Sequence, residues 1–194
     1  MVLGLTGGMG CGKSAAVRLF EEFGYRRVDS DALIRTRVLT DPGIIAAVAE
    51  RFGQSVLTDA GEIDRTRLGA AVFAEATGLE WLEALTHPPL FALWRAELAA
   101  RGAQPLVFEV PLLFEKRLEN WFDFTLCVAT SSANQFARLA ERGMSQALAE
   151  QRISKQLPLA LKIESADFVL LNDGSLTFLR EQIAVLVGRL AARR

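Results

Sequence analysis

Cysteine is scarce in this 194-residue chain, and its scarcity closes off two kinds of scaffold. The two cysteines, Cys11 and Cys127, stand in unrelated surroundings, with no Cys-x-x-Cys pair and no Cys/His spacing suited to a metal. A disulfide framework and a structural zinc are therefore not expected. No apolar run approaches the roughly 18 residues of a membrane helix. The first residues already read as a strand, which leaves no room for a signal peptide, so a cytoplasmic protein with no membrane partner is expected. Strong charge of one sign is missing too. Lys plus Arg number 22 against 23 Asp plus Glu, so nothing suggests a polyanion-binding surface, and nucleic acid is not an expected partner. Lysine supplies only 4 of the 22 basic side chains, a bias from which no function follows. Repeats and low-complexity tracts are absent. With 51% hydrophobic residues, the length suits one α/β domain with room for inserted subdomains.

What is present begins at once. Gly7 opens, and Gly12, Lys13 and Ser14 close, a stretch that fits Gly, any four residues, Gly, Lys, Ser/Thr without mismatch. An apolar run, residues 2–5, precedes it, and a helix-patterned segment with Val17, Leu19, Phe20 and Phe23 follows. Glycines at 7, 8, 10 and 12 allow positive φ and bring successive N–H groups up to phosphate oxygens, where a Cβ would clash. The positive end of the helix that follows adds to this attraction. Gly8, Met9, Gly10, Cys11, Gly12, Lys13, Ser14 and Ala15 are thus the expected residues of a nucleoside-triphosphate site. Lys13 is expected to neutralise charge between the β- and γ-phosphates, and the Ser14 hydroxyl to ligate Mg²⁺. Cys11, among backbone N–H groups and close to Lys13, is expected to ionise easily and to react when ATP is absent.

Further along, residues 25–28 read as a second strand ending at Asp29, Ser30 and Asp31. Helical periodicity then dominates to residue 100, with Pro88 and Pro89 expected to interrupt its last segment. Some 70 residues of helix are too many for a plain crossover, and imply a subdomain on the carboxyl side of the sheet. Strands follow at 106–110, 122–129 and 168–171, separated by helices, one of them carrying Arg138 and Arg142 and another at 144–156; a last helix spans 176–190. This alternation implies an α/β fold with a five-stranded parallel sheet wrapped by helices and ligands at the strands' carboxyl ends.

A phosphate loop alone does not separate a switch GTPase, a motor-type ATPase and a small-molecule kinase. The Asn-Lys-x-Asp and Asp-x-x-Gly motifs of a switch GTPase are absent. The strand ending Glu109-Val110-Pro111 fits a motor ATPase poorly. A kinase needs an acceptor pocket, a carboxylate near the acceptor hydroxyl and mobile basic residues that close over the phosphates. The helical insertion, Asp29 with Asp31, and the segment 138–162 offer these.

Residues 5–14, the triplet 29–31, Ile63-Asp64-Arg65 with Leu68, Val72-Phe73, Thr86-His87-Pro88 and residues 110–115 together resemble the dephospho-CoA kinase family. The likeness continues through Arg138, Arg142, Gln156, residues 166–169, Asn172 and Gly174, and so covers nearly the whole chain. The resemblance implies a P-loop NTPase fold and transfer of the ATP γ-phosphoryl to the ribose 3′-hydroxyl of dephospho-CoA, the last step of coenzyme A synthesis. It implies a nucleotide-binding core over 1–30, 104–137 and 166–194, a helical CoA-binding domain over 31–103 and a lid over 138–165. Asp31 is the implied base, Lys13 and Arg138 its catalytic partners, and Arg142 a further ATP contact from the lid. Asp31, Arg65, His87, Glu109, Pro111 and Leu112 are the implied acceptor-binding residues, with a monomer or weak homo-oligomer expected. Cys11, Ala15 and Glu109 depart from the residues commonest in the family at those positions.

Duller roles stay open for several of these residues. Asp31 or Asp29 can cap the helix that follows. His87, the only histidine, precedes a proline and reads as a shaped turn or acceptor contact rather than an acid/base group. Glu109 can touch either the acceptor or the magnesium shell. Arg138 and Arg142, four apart on one helix, are expected to face the same space and to act late, on closure. A related nucleotide kinase, or a non-enzymatic nucleotide switch with a partner-binding arm, remains an alternative.

Overall fold

The structure, a computed structural model, describes residues 1–192; residues 193 and 194, the end of the expected core span 166–194, lie outside the described residues. The chain divides into two compact units, one made of Met1–Asp29 and the chain from Arg101 onward, the other of Ser30–Ala100.

The first unit is built on a parallel sheet of five strands: β1 (Val2–Gly7), β2 (Arg26–Asp29), β3 (Leu106–Glu109), β4 (Phe124–Ala129) and β5 (Phe168–Leu171). Their spatial order is β2-β3-β1-β4-β5. All six residues of β1 and all four of β3 are buried, which explains why both read as unbroken apolar runs rather than alternating ones. Helices α1 (Lys13–Glu22), α6 (Ser132–Glu141), α7 (Gln146–Ile153), α8 (Leu159–Ser165) and α9 (Leu176–Ala191) complete this unit. Leu3, Leu5, Val17, Phe20, Leu126, Val128, Leu179 and Ile183 form its core, joining α1 and α9 to the sheet. α8 packs against β1 and β4. Every strand ends on one rim, and central β1 ends at Gly7, the first residue of the phosphate motif.

The second unit is helical: α2 (Ser30–Leu33), a π-turn at Ile34–Val38, α3 (Pro42–Phe52), α4 (Arg65–Ala74) and α5 (Gly78–Ala100). Its helix starts are chemically marked. Asp41 Oδ1 accepts from the N–H groups of Gly43 (2.8 Å) and Ile44 (3.2 Å), and Asp64 Oδ1 from those of Thr66 (2.9 Å) and Arg67 (3.1 Å). Leu68, Val72, Leu90 and Trp94 are buried within it. The expected interruption at Pro88 and Pro89 does not occur, because α5 runs through both. Each proline removes one N–H from the helix ladder, yet buried Thr86, Leu90 and Trp94 hold this face by packing, and Thr86 Oγ1 donates to the Leu82 carbonyl (2.7 Å). Tertiary burial outweighs the local helix-breaking tendency here. The helix expected at 144–156 is α7, a few residues shorter, and after Pro158 the chain adds a further short helix, α8, that the periodicity did not single out.

Candidate active site

The turn after β1 is shaped by its glycines. Gly10 (φ 79°) and Gly12 (φ 95°) hold left-handed backbone, and a Cβ on Gly12 would collide with the Asn172 side-chain amide. Gly12 is the N-cap of α1 and offers no side chain to its first N–H groups, and no acidic residue occupies the first turn. A helix start left uncapped in this way suits an anion. Lys13 Nζ lies back over the loop, donating to the carbonyls of Gly7 and Gly8, both at 3.0 Å.

On one side of the loop stands a line of charged and hydroxyl groups. Ser14 Oγ donates to Glu109 Oε1 (2.9 Å) at the end of β3. The other oxygen of that carboxylate, Oε2, accepts from Arg27 Nη2 (2.7 Å), which also donates to Asp29 Oδ2 (2.8 Å). The structure thus sets Glu109 beside Ser14. Arg27 went unnoticed in the sequence. Its partner Glu109 lies 82 positions away, and the available hint was period-2 alternation, which puts Arg27 and Asp29 on one face of β2 with buried Val28 on the other.

On the other side, α6 and the segment after β5 grip the loop. Arg138 donates to the carbonyls of Cys11 (3.4 Å) and Asn172 (2.7 Å), and Asn172 Nδ2 donates to the Cys11 carbonyl (2.8 Å). Gln135 Nε2 donates to the Met9 carbonyl, and the Met9 N–H donates to Gln156 Oε1 (3.3 Å). Arg138 is half-buried, whereas Arg142 is exposed at the C-cap of α6, where its backbone N–H donates to the Leu139 carbonyl (3.1 Å). Two of the five guanidinium N–H groups of Arg138 are thus engaged by backbone carbonyls. Behind the loop, the Pro111 carbonyl accepts from Thr6 Oγ1 (3.0 Å) and from Lys162 Nζ (2.8 Å). Lys162 is fully buried and pairs with Glu115 at 2.7 Å, a contact that nothing in its own helical segment signals. Leu112, half-buried, accepts through its carbonyl from the Lys116 N–H in the same turn.

The expected reactivity of Cys11 is not what the structure provides. Its side chain is fully buried, and this desolvation raises the thiol pKa, outweighing the pull of Lys13. Cys127 is likewise pushed up, to about 12, chiefly by burial. Asp31, Arg65 and His87 belong to the second unit, on three different helices. Asp31 is exposed in the first turn of α2, Arg65 is the exposed first residue of α4, and His87 is half-buried with its ring 5.5 Å from that of Phe91.

The loop and its carboxylate partner are those of a P-loop kinase fold, and comparison with known proteins narrows this. A family model for dephospho-CoA kinases matches residues 1–177. The chain belongs to the dephospho-CoA kinase family. A dephospho-CoA kinase from Thermosynechococcus vestitus is 41% identical over 183 residues, 93% of this chain and 90% of that relative. Among solved structures, TT1252 from Thermus thermophilus superposes with a TM-score of 0.85 at 31% identity, covering 98% of this chain and 97% of its own. The dephospho-CoA kinase of Campylobacter jejuni shares the fold, with a TM-score of 0.73 at 22% identity over 97% of this chain and 96% of its own. Among the described residues no helix is long and apolar enough to cross a membrane.

The donor set beside the loop also bears on a divalent metal. Ser14 Oγ and Glu109 are hard oxygen donors in contact, while no cluster of three or more His, Cys, Asp or Glu suited to a metal occurs among the described residues. That composition fits a hard cation that keeps several waters and takes the rest of its shell from substrate phosphates.

Proposed function

We propose that this chain transfers the γ-phosphoryl of ATP to the ribose 3′-hydroxyl of dephospho-CoA, forming coenzyme A in the last step of its synthesis. The observation that carries the reading is the loop from Gly7 to Ser14, with Ser14 on Glu109, in a chain matched by the family over residues 1–177. Gly8, Met9, Gly10, Cys11, Gly12 and Ala15 present backbone to the phosphates. Lys13 leaves the Gly7 and Gly8 carbonyls for the β,γ-bridge. Ser14, with Glu109 behind it, would hold magnesium, which when bound supplies charge neutralisation across the β- and γ-phosphates.

Asp31 orients the acceptor hydroxyl and takes its proton as the new bond forms, the role a carboxylate can play in a loose transition state. Residues 31–103 serve as the acceptor domain, with Arg65 and His87 contacting dephospho-CoA and Pro111 and Leu112 lining the approach from the core. Lid movement over 138–165 is carried by the part before α8, because α8 is anchored by buried Lys162. Arg138 and Arg142 close on the phosphates from there. The cytoplasm, where ATP is abundant, is the proposed compartment, and a monomer or weak homo-oligomer the proposed state.

A coupled ADP-release assay over an acceptor panel of dephospho-CoA, adenosine, AMP and shikimate tests the reading. Release that depends on dephospho-CoA is expected. Tight ATP binding with no acceptor-dependent release would instead favour a nucleotide switch.

A further inference from the structure

Arg27 belongs to no motif, yet it determines how two carboxylates on the strand rim are arranged. Asp29 and Glu109 are register partners on the neighbouring parallel strands β2 and β3, so their side chains leave the sheet side by side, at a strand spacing of about 4.8 Å. Two anions so placed repel, and Glu109 keeps only 10% of its side chain exposed. Arg27 lies between them. A single nitrogen, Nη2, donates to Asp29 Oδ2 at 2.8 Å and to Glu109 Oε2 at 2.7 Å, while the buried Nε has no partner among the described residues. The guanidinium therefore acts here as a bridging cation rather than as a two-pronged fork.

The arrangement has a direction. With Oε2 held by Arg27, the carboxylate turns Oε1 to the Ser14 hydroxyl at 2.9 Å. It also has a charge consequence, since within this trio one cation stands against two carboxylates, a net charge of one negative rather than two. Such a trio attracts a dication weakly by itself and does not strongly repel the polyphosphate that brings the dication in.

We propose that Arg27 is a positioning residue that aims Glu109 at Ser14 and sets the charge of the metal side of the loop, so that the divalent cation is taken up with the nucleotide rather than before it. The proposal rests on reading Ser14 as the metal-side residue of an ATP site. That reading is checked separately by dephospho-CoA-dependent ADP release from the wild-type protein in the same preparation.

The test is Mn²⁺ binding without nucleotide, followed by electron paramagnetic resonance, together with KM and kcat for ATP at saturating Mg²⁺. Arg27→Met keeps the apolar stem and removes the cation, and is expected to bind free Mn²⁺ about tenfold more tightly. It should also raise KM for ATP about fivefold, with a smaller change in kcat. Arg27→Lys should restore both values to within about twofold, because one nitrogen makes both contacts. Two further variants test the charge directly, and Asp29→Asn, which leaves Arg27 in place, decides the matter should Arg27→Met fail to fold. Asp29→Asn should bind Mn²⁺ more weakly than wild type, and Arg27→Met/Asp29→Asn, with the wild-type net charge, should return to the wild-type affinity. Equal Mn²⁺ affinity across wild type, Arg27→Met and Asp29→Asn would overturn the proposal, as would a double variant no tighter than Asp29→Asn. An Arg27→Lys variant matching Arg27→Met in both readouts would assign the effect to guanidinium packing and overturn it too.

Discussion

Cys11 shows how burial and charge compete at a single atom. Its thiol lies beside Lys13 and Arg138, both of which favour the thiolate, but desolvation is the larger effect and leaves the thiol protonated at neutral pH. Neither Cys11 nor Cys127 should therefore react with iodoacetamide in the folded protein, and both should be labelled in urea; one equivalent of native-state labelling, read by mass spectrometry, would contradict this. Asp31 is a different case: in the role proposed for it, a carboxylate is a feeble base toward a ribose hydroxyl and would help mainly by orienting it and accepting the proton late. Positioning plus late proton acceptance is worth roughly 3 to 5 kcal/mol. Asp31→Asn should fold and bind ATP normally while acceptor phosphorylation falls at least about a hundredfold; retention of more than about a tenth of wild-type turnover would move the role to Asp29. At this scale the loop from Gly7 to Ser14 was legible because its parts are contiguous and each has its own steric or charge reason. Arg27 and Lys162 were not, because each acts through a partner far away in the chain, and single-sequence periodicity carries no information about such pairs.

Among the elements, α8 is tied to the turn after β3 by one buried ion pair. Lys162 Nζ reaches both Glu115 Oε1 and the Pro111 carbonyl, and Glu115 Oε1 also accepts from the Leu157 N–H (2.9 Å). Removing one partner of such a pair strands the other charge, at a cost of about 3 to 5 kcal/mol, whereas replacing both by apolar groups is often close to neutral. Lys162→Met should accordingly lose about that much stability in urea unfolding, and Lys162→Met/Glu115→Leu should recover most of it; a single-variant loss below about 1 kcal/mol would contradict the assignment. Strands β1, β3 and β4 were readable because buried parallel strands are unbroken apolar runs, and the edge strand β5 keeps the same apolar spelling although Leu171 is exposed. The continuity of α5 through Pro88 and Pro89 was not, because local propensity argues for a break and only the packing of Thr86, Leu90 and Trp94 argues against it.

For the molecule as a whole, alternation of strands with helices after a phosphate loop was enough to read a parallel α/β sheet, whereas the contacts that shape its rim come from tertiary pairing. That pairing also sets a pH dependence. Asp173 accepts from the Ser131 N–H (2.7 Å), Asn134 (2.9 Å) and Thr130 (2.9 Å), and these bonds, the Ser131 N–H first, hold its carboxyl well below the usual carboxylate range. Asp64 is lowered in the same sense, mainly by the Arg67 N–H. A depressed folded-state pKa contributes stability that is fully present above the unfolded value of about 3.9 and is lost as pH falls through the folded one. Tm should hold steady down to about pH 5 and then fall with acid, and Asp173→Ala should fall less steeply; superposable acid limbs would contradict this linkage. The central claim concerns which bond is made. The protein should be incubated with ATP, Mg²⁺ and dephospho-CoA, and the product examined by proton–phosphorus correlation NMR. The account predicts a new phosphorus resonance coupled to the ribose H3′ proton and an equal yield of ADP. Coupling to H2′ instead, or ADP formed without any phosphorylated acceptor, would contradict it.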